Sequence, residues 1–172
     1  MSPQRNAHWQ IIFLIIKVLM GRFGADVQLV SDVRIDFPGH WNGLAPDVAK
    51  LRDGAKTDSK GRWQPADVEF IAEVISKDTG HKDYGPKKTA YALAEVPVYL
   101  IIDPYQGKCL LFTQPKEGDY LSETSVTFGG EVDMTTTPLG FTLKTDEFPA
   151  TEGAAEPRRL RLHRAHSKPL AW

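Results

Sequence analysis

The residues best suited to chemistry are two acids and a lysine in the middle of the chain: Asp47, Glu73 and Lys87. Asp47 follows Pro46 at the head of a short apolar run. Glu73 lies between Ala72 and Val74, in a run that also holds Val68, Phe70, Ile71 and Ile75. A carboxylate buried in such a run is costly unless it is paired or bound to a cation. Two carboxylates with open coordination positions suit Mg²⁺, which takes oxygen ligands and keeps several waters. The main-chain carbonyl of Ile75, on the same side of the pleat as Glu73, is a candidate third oxygen. A cation held this way polarises a phosphoryl oxygen and lowers the pKa of bound water. A neighbouring lysine orients that water or steadies charge at phosphorus. The plainer alternatives are a turn at Asp47, a Glu73–Lys87 salt bridge, and an ordinary surface lysine.

Asp83, Lys87 and Tyr91 recur four apart, so a helix places them on one face. Their plain reading is an exposed ion pair, with Tyr91 packed in the core. Asp67 and Glu69 share the Glu73 side of a strand by period-two alternation and read as an exposed strand end. His8 reads as a structural or supporting histidine. Asp103 before Pro104 reads as a strand-ending turn.

These residues need a frame. Apolar spacing predicts a helix from Trp9 to Gly21 and a strand from Val27 to Phe37. A loop follows from Pro38 to Ala45, then a short strand from Pro46 to Leu51. The clearest buried strand is Asp67–Ser76. Asp78 or Thr79 can cap a helix that runs to about Glu95 and stops before Pro97. Val98–Ile102 reads as a fully apolar strand, with a turn at Tyr105–Lys108 leading into Cys109–Thr113. Tyr120–Phe128 and the segment near Phe141 suggest more strands. The expected class is α/β, a mixed central sheet flanked by helices.

The length of 172 residues fits one domain, expected over residues 1–149, with a flexible basic tail over 150–172. Residues 157–172 carry five basic side chains (Arg158, Arg159, Arg161, Arg164, Lys168) and no acid, which leaves 16 basic against 22 acidic residues elsewhere. An acidic body does not grip DNA by charge alone, but it suits a site that collects carboxylates for a cation. Cys109 is the only cysteine, which excludes an intrachain disulfide and a cysteine zinc cluster. A reducing cytoplasm fits. The apolar run Ile11–Met20 is interrupted by Lys17 and too short to span a bilayer. Arg5 precedes it as in a signal peptide, but no A-x-A-like cleavage site follows closely.

PDVA at 46–49, AEVIS at 72–76, the D…K…Y register of Asp83, Lys87 and Tyr91, and VPVYLIIDP at 96–104 occur in that order, with His8 ahead of the apolar helix. Together they resemble the restriction-endonuclease domain family of the PD-(D/E)xK nuclease superfamily, over roughly residues 8–148. The resemblance implies a restriction-endonuclease-like fold and a metal-dependent endonuclease that hydrolyses DNA phosphodiester bonds. It implies Mg²⁺, or Mn²⁺, with Asp47 and Glu73 as ligands. It also implies that a helix lysine replaces the one usually found two residues after the acid, where this chain has Ile75. Lys87 is the matching residue, with Lys82 and Lys88 as alternatives. Family members usually carry an acidic segment before the first helix, and this chain starts almost at the helix. The alternative is therefore a catalytically degenerate nuclease-fold protein that binds nucleic acid or a protein partner. A homodimer also stays open.

Overall fold

The computed structural model describes residues 3–39, 43–77 and 82–151. Asp78 and Thr79, the expected helix caps, and the tail from residue 152 onward lie outside the described residues.

The first helix, α1, runs Pro3–Phe23. It buries Ile11, Ile12, Ile15 and Leu19 against one face of a sheet. Among the described residues, no helix is long and apolar enough to cross a membrane.

The expected strand over 27–37 is instead two short ones, β1 (Leu29–Val30) and β2 (Ile35–Asp36). Asp32 breaks it with φ of 54°, a conformation that aspartate tolerates better than most residues. Its amide donates to the Pro46 carbonyl at 2.9 Å. β2 pairs with β3 (Gly43–Leu44) as a small arm.

β4 (Val48–Leu51), β5 (Val68–Val74), β6 (Val98–Asp103), β7 (Lys108–Lys116) and β8 (Asp119–Thr127) join β1 in a six-stranded sheet ordered β1-β4-β5-β6-β7-β8. Only β5 and β6 are parallel among these neighbours. A parallel pair needs a crossover, and the helical segment between them supplies it. β6 is buried along its whole length, as its continuous apolar sequence requires of a strand covered on both faces. The architecture is therefore a mixed α/β sheet flanked by helices.

The crossover departs from a regular helix. Asp83–Lys87 winds as a π-helical turn holding Pro86, and α2 follows over Lys88–Leu93. Proline has no amide to donate and crowds the preceding turn, so a widened turn is the natural accommodation.

α2 buries Ala90 and Tyr91 on the sheet face opposite α1, among Phe37, Ile71, Tyr99, Ile101 and Phe112. β9 (Glu131–Asp133) and β10 (Thr142–Lys144) pair beside α1; the sequence suggested only the second.

Two local expectations fail. Glu69 does not share a side with Glu73, because a register shift between Lys50 and Leu51 interrupts the alternation. A bulge of this kind turns one side chain out of phase. Glu69 instead meets the buried Lys50 ammonium at 2.6 Å. Asp67 is also no exposed strand end: it is buried and pairs with Arg52.

Candidate active site

Register positions the two acids. Val48 faces Ala72 across β4 and β5, so the next pair outward is Asp47 and Glu73. They engage each other through the main chain. The Val74 amide donates to Asp47 Oδ2 at 2.8 Å, and the Asp47 amide approaches Glu73 Oε2 at 3.4 Å.

The crossover brings the remaining groups. Lys87 Nζ lies 3.0 Å from Glu73 Oε1 and 2.7 Å from Asp83 Oδ1. Tyr91 donates its hydroxyl to the same Glu73 Oε1 at 2.6 Å. Tyr99 donates to the Asp83 carbonyl at 2.9 Å and so ties the π turn to β6. Tyr84, in that turn, donates to Asp103 Oδ2 at 2.9 Å. Asp103 also accepts from the Tyr105 and Gln106 amides, as the strand-ending turn requires. Lys88, one of the two alternatives to Lys87, instead meets Asp119 at 2.8 Å.

From the other face, His8 on α1 sets Nε2 3.3 Å from Asp47 Oδ2. Side-chain exposure rises from 2% at Glu73 through 18% at Lys87 to 23% at Asp47 and 26% at His8. The cluster therefore opens to solvent on the Asp47–His8 side and is closed behind Glu73.

The electrostatics follow from that burial. Loss of water pushes the Glu73 carboxyl up to about 7, against the pull of the Lys87 ammonium. Burial likewise raises Asp83, again against Lys87. Burial works to lower Lys87, but Glu73 and Asp83 together outweigh it, and the ammonium ends above its ordinary value. The hydrogen bond to Asp47 raises His8 despite its partial burial. Burial and the neighbouring Glu73 charge hold Tyr91 well above the usual phenol range, so it stays a neutral donor.

The donor set fits a hard divalent cation. Glu73 Oε1 is taken by Tyr91 and Lys87, and Asp47 Oδ2 by Val74 and His8. Glu73 Oε2 faces the Asp47 side, where it accepts a long hydrogen bond from the Asp47 amide. Among the described residues no group of three or more His, Cys, Asp or Glu side chains could hold a metal ion. A cation here would rest on two carboxylates, main-chain oxygen and water, which is how Mg²⁺ is commonly bound.

For the main-chain oxygen, Val74 is better directed than Ile75. The Ile75 amide donates to the Ile102 carbonyl in β6, away from β4. The Val74 amide points to Asp47, and in a strand a residue's carbonyl and amide share a side.

Sequence reasoning brought together Asp47, Glu73 and Lys87, and the structure gathers them. It missed the Tyr91 hydroxyl, assigning that residue to packing alone. The four-residue spacing from Lys87 was the available signal. The plain alternative for Glu73, a salt bridge with Lys87, is present and belongs to the same cluster.

No curated protein matches the chain. A solved structure described as a "putative nuclease belonging to DUF820", from Anabaena variabilis, superposes with a TM-score of 0.63 at 12% identity, covering 83% of this chain and 79% of that one. At that identity the likeness speaks for the fold, which is restriction-endonuclease-like. The model of the Uma2 family, described as "Putative restriction endonuclease", matches residues 1–146. The chain belongs to the Uma2 restriction-endonuclease family, and nuclease, a class of hydrolase, is the coarse reading that membership supports.

Proposed function

We propose that this chain is a metal-dependent DNA endonuclease that uses Mg²⁺ or Mn²⁺ at Asp47 and Glu73. One observation carries the reading: Lys87 stands 3.0 Å from Glu73 Oε1 although it comes from the crossover and not from β5. That restores an acid–lysine pair which Ile75 denies to the strand itself. Val74 supplies the main-chain oxygen in place of Ile75.

When bound, the cation polarises the phosphoryl oxygen and acidifies its water. The chain's own groups do the rest. Asp47 and Glu73 supply the negative charge that holds the cation. Tyr91 and Lys87 fix Glu73 Oε1, which leaves Oε2 for the cation. Lys87 remains charged and donates to the attacking water or to a phosphate oxygen. His8 orients Asp47. In the reaction water adds to phosphorus, one P–O ester bond breaks, and the departing oxygen takes up a proton. The single buried cysteine is in keeping with a cytoplasmic setting.

The test is supercoiled plasmid incubated with purified protein and Mg²⁺ or Mn²⁺, with and without EDTA. Metal-dependent nicking is expected, and none with EDTA. Lys87→Ala should bind the cation nearly as well yet cut on the order of 100-fold more slowly, because it removes a donor that acts on the reacting groups. Equal loss of metal binding would assign Lys87 to the structure of the site alone. Tyr91→Phe keeps the ring packing but frees Glu73 Oε1. Weaker Mn²⁺ binding, by several-fold, is expected with little change in Tm. Unchanged affinity would remove Tyr91 from the positioning role.

The second reading, a degenerate nuclease-fold protein that binds nucleic acid or a partner, is favoured because, among the described residues, no third His, Cys, Asp or Glu side chain joins Asp47 and Glu73 in a group that could hold a metal. Good metal binding with no cleavage under any cation would support it.

A further inference from the structure

α1 carries an apolar stripe that its own sheet does not cover. Six large apolar side chains are exposed among the described residues, and three of them, Trp9, Phe13 and Met20, lie on this helix. With Ile16, which is half-buried and packs on the edge of the core, they follow a 4-3-4 spacing, which is the seam of a helix that packs against another helix. Trp9 is 60% and Phe13 66% exposed. Aromatic side chains of about 150–250 Å² each make the stripe on the order of 400 Å², at the scale where a patch on a monomer is often functional.

We infer that this stripe pairs with the same stripe of a second copy of this chain, the two α1 helices running antiparallel. Isologous pairing is the commonest way for one surface to be its own complement. An antiparallel crossing centred between Leu14 and Ile15 sets Trp9 against Met20 and Phe13 against Ile16, twice over. Each aromatic ring then meets an aliphatic or thioether side chain, and sulfur against an aromatic edge is favourable. A parallel crossing would stack like on like and set Lys17 beside Lys17. The antiparallel one separates them by about 7–8 Å along the axis. Helix α1 carries no acidic residue, so the contact buries no carboxylate of the helix itself. About 400 Å² of apolar surface from each copy is half of the roughly 800 Å² per partner of a standard interface. Flanking Gln10 and Lys17 can extend it, and the dimer is accordingly a concentration-dependent one. An anionic membrane surface is the less suited occupant, because such helices carry many cations along their polar face, whereas Lys17 and Arg22 are the only charges between Asn6 and Phe23.

The pairing does not depend on the nuclease reading. It does give it a consequence, because Trp9 adjoins His8 and the seam begins beside the Asp47 edge of the site.

Light scattering behind size exclusion, on the full chain at about 5 and 200 µM, tests it. The wild type should approach dimer mass at the higher concentration. Phe13→Glu should stay monomeric at both, with unchanged circular dichroism because the side chain is outside the core. Thiol oxidation of the double variant Phe13→Cys, Ile16→Cys should trap the dimer, and Phe13→Cys alone should not; Cys109 is buried and silent. A wild type that is monomeric at 200 µM overturns the proposal, as does a Phe13→Glu variant that still dimerises. Efficient cross-linking by Phe13→Cys alone overturns the antiparallel arrangement. Added anionic vesicles that bind the wild type and not Phe13→Glu, with no dimer in solution, would assign the stripe to a membrane instead.

Discussion

Glu73→Gln is expected to abolish plasmid cleavage, by on the order of 100-fold or more. The substitution keeps the shape of the side chain and removes one negative charge. Its amide can still accept from Tyr91 and Lys87, so the fold around it survives. In the proposed site the cation would lose one of two carboxylates, and its affinity would fall with the charge. Cleavage and metal binding should therefore decline together, whereas Lys87→Ala should separate them. Activity that persists equally in Glu73→Gln would come from a contaminating nuclease or from a site elsewhere.

Stability should depend on pH through the same residue, in the direction opposite to a surface carboxylate. Burial raises Glu73 from 4.5 to about 7 in the folded chain. Between those values the native state holds a proton that the unfolded state has lost. Linkage then makes stability fall as pH rises from about 4.5 through 7. At 1.36 kcal/mol per pH unit, the rise from 4.5 to about 7 corresponds to about 3 kcal/mol. In a chain of this size that is roughly 6–12 °C in Tm. His8 and Asp83 are also raised and act in the same sense. In EDTA, the wild-type Tm should drop between pH 5 and 8 relative to Glu73→Gln, which lacks the titration. Saturating Mg²⁺ at pH 8 should restore it, since the cation binds the ionised form. Parallel Tm curves for wild type and variant would show that Glu73 titrates near its ordinary value.

Much of this site was legible in the sequence because it depends on short-range pattern. A glutamate flanked by Ala72 and Val74 needs a partner in any fold that buries the strand. Strand alternation puts Asp47 opposite Glu73 once β4 and β5 pair, and four-residue spacing brings Lys87 over Asp83. The all-apolar β6 announced a central strand.

What was not legible came from local geometry that no periodicity encodes. Pro86 lies in a π turn at the start of the crossover, where the apolar pattern suggested a regular helix. Asp32 in the left-handed region cuts one expected strand into two. The bulge at Lys50–Leu51 moves Glu69 off the Glu73 side. Whether Val74 or Ile75 turns its main chain toward Asp47 depends on which way an amide points, and residue types do not reveal that. The Tyr91 hydroxyl was hidden for a related reason, since a buried tyrosine packs identically until its oxygen finds an acceptor.

The most direct measurement is calorimetric titration of Mn²⁺ into the wild-type chain, Glu73→Gln and Lys87→Ala at pH 8. The proposed Asp47–Glu73 site predicts a single binding event in the wild type, loss of it in Glu73→Gln, and near-normal binding in Lys87→Ala. Equal Mn²⁺ binding by wild type and Glu73→Gln, or no binding by the wild type at millimolar metal, would contradict the account.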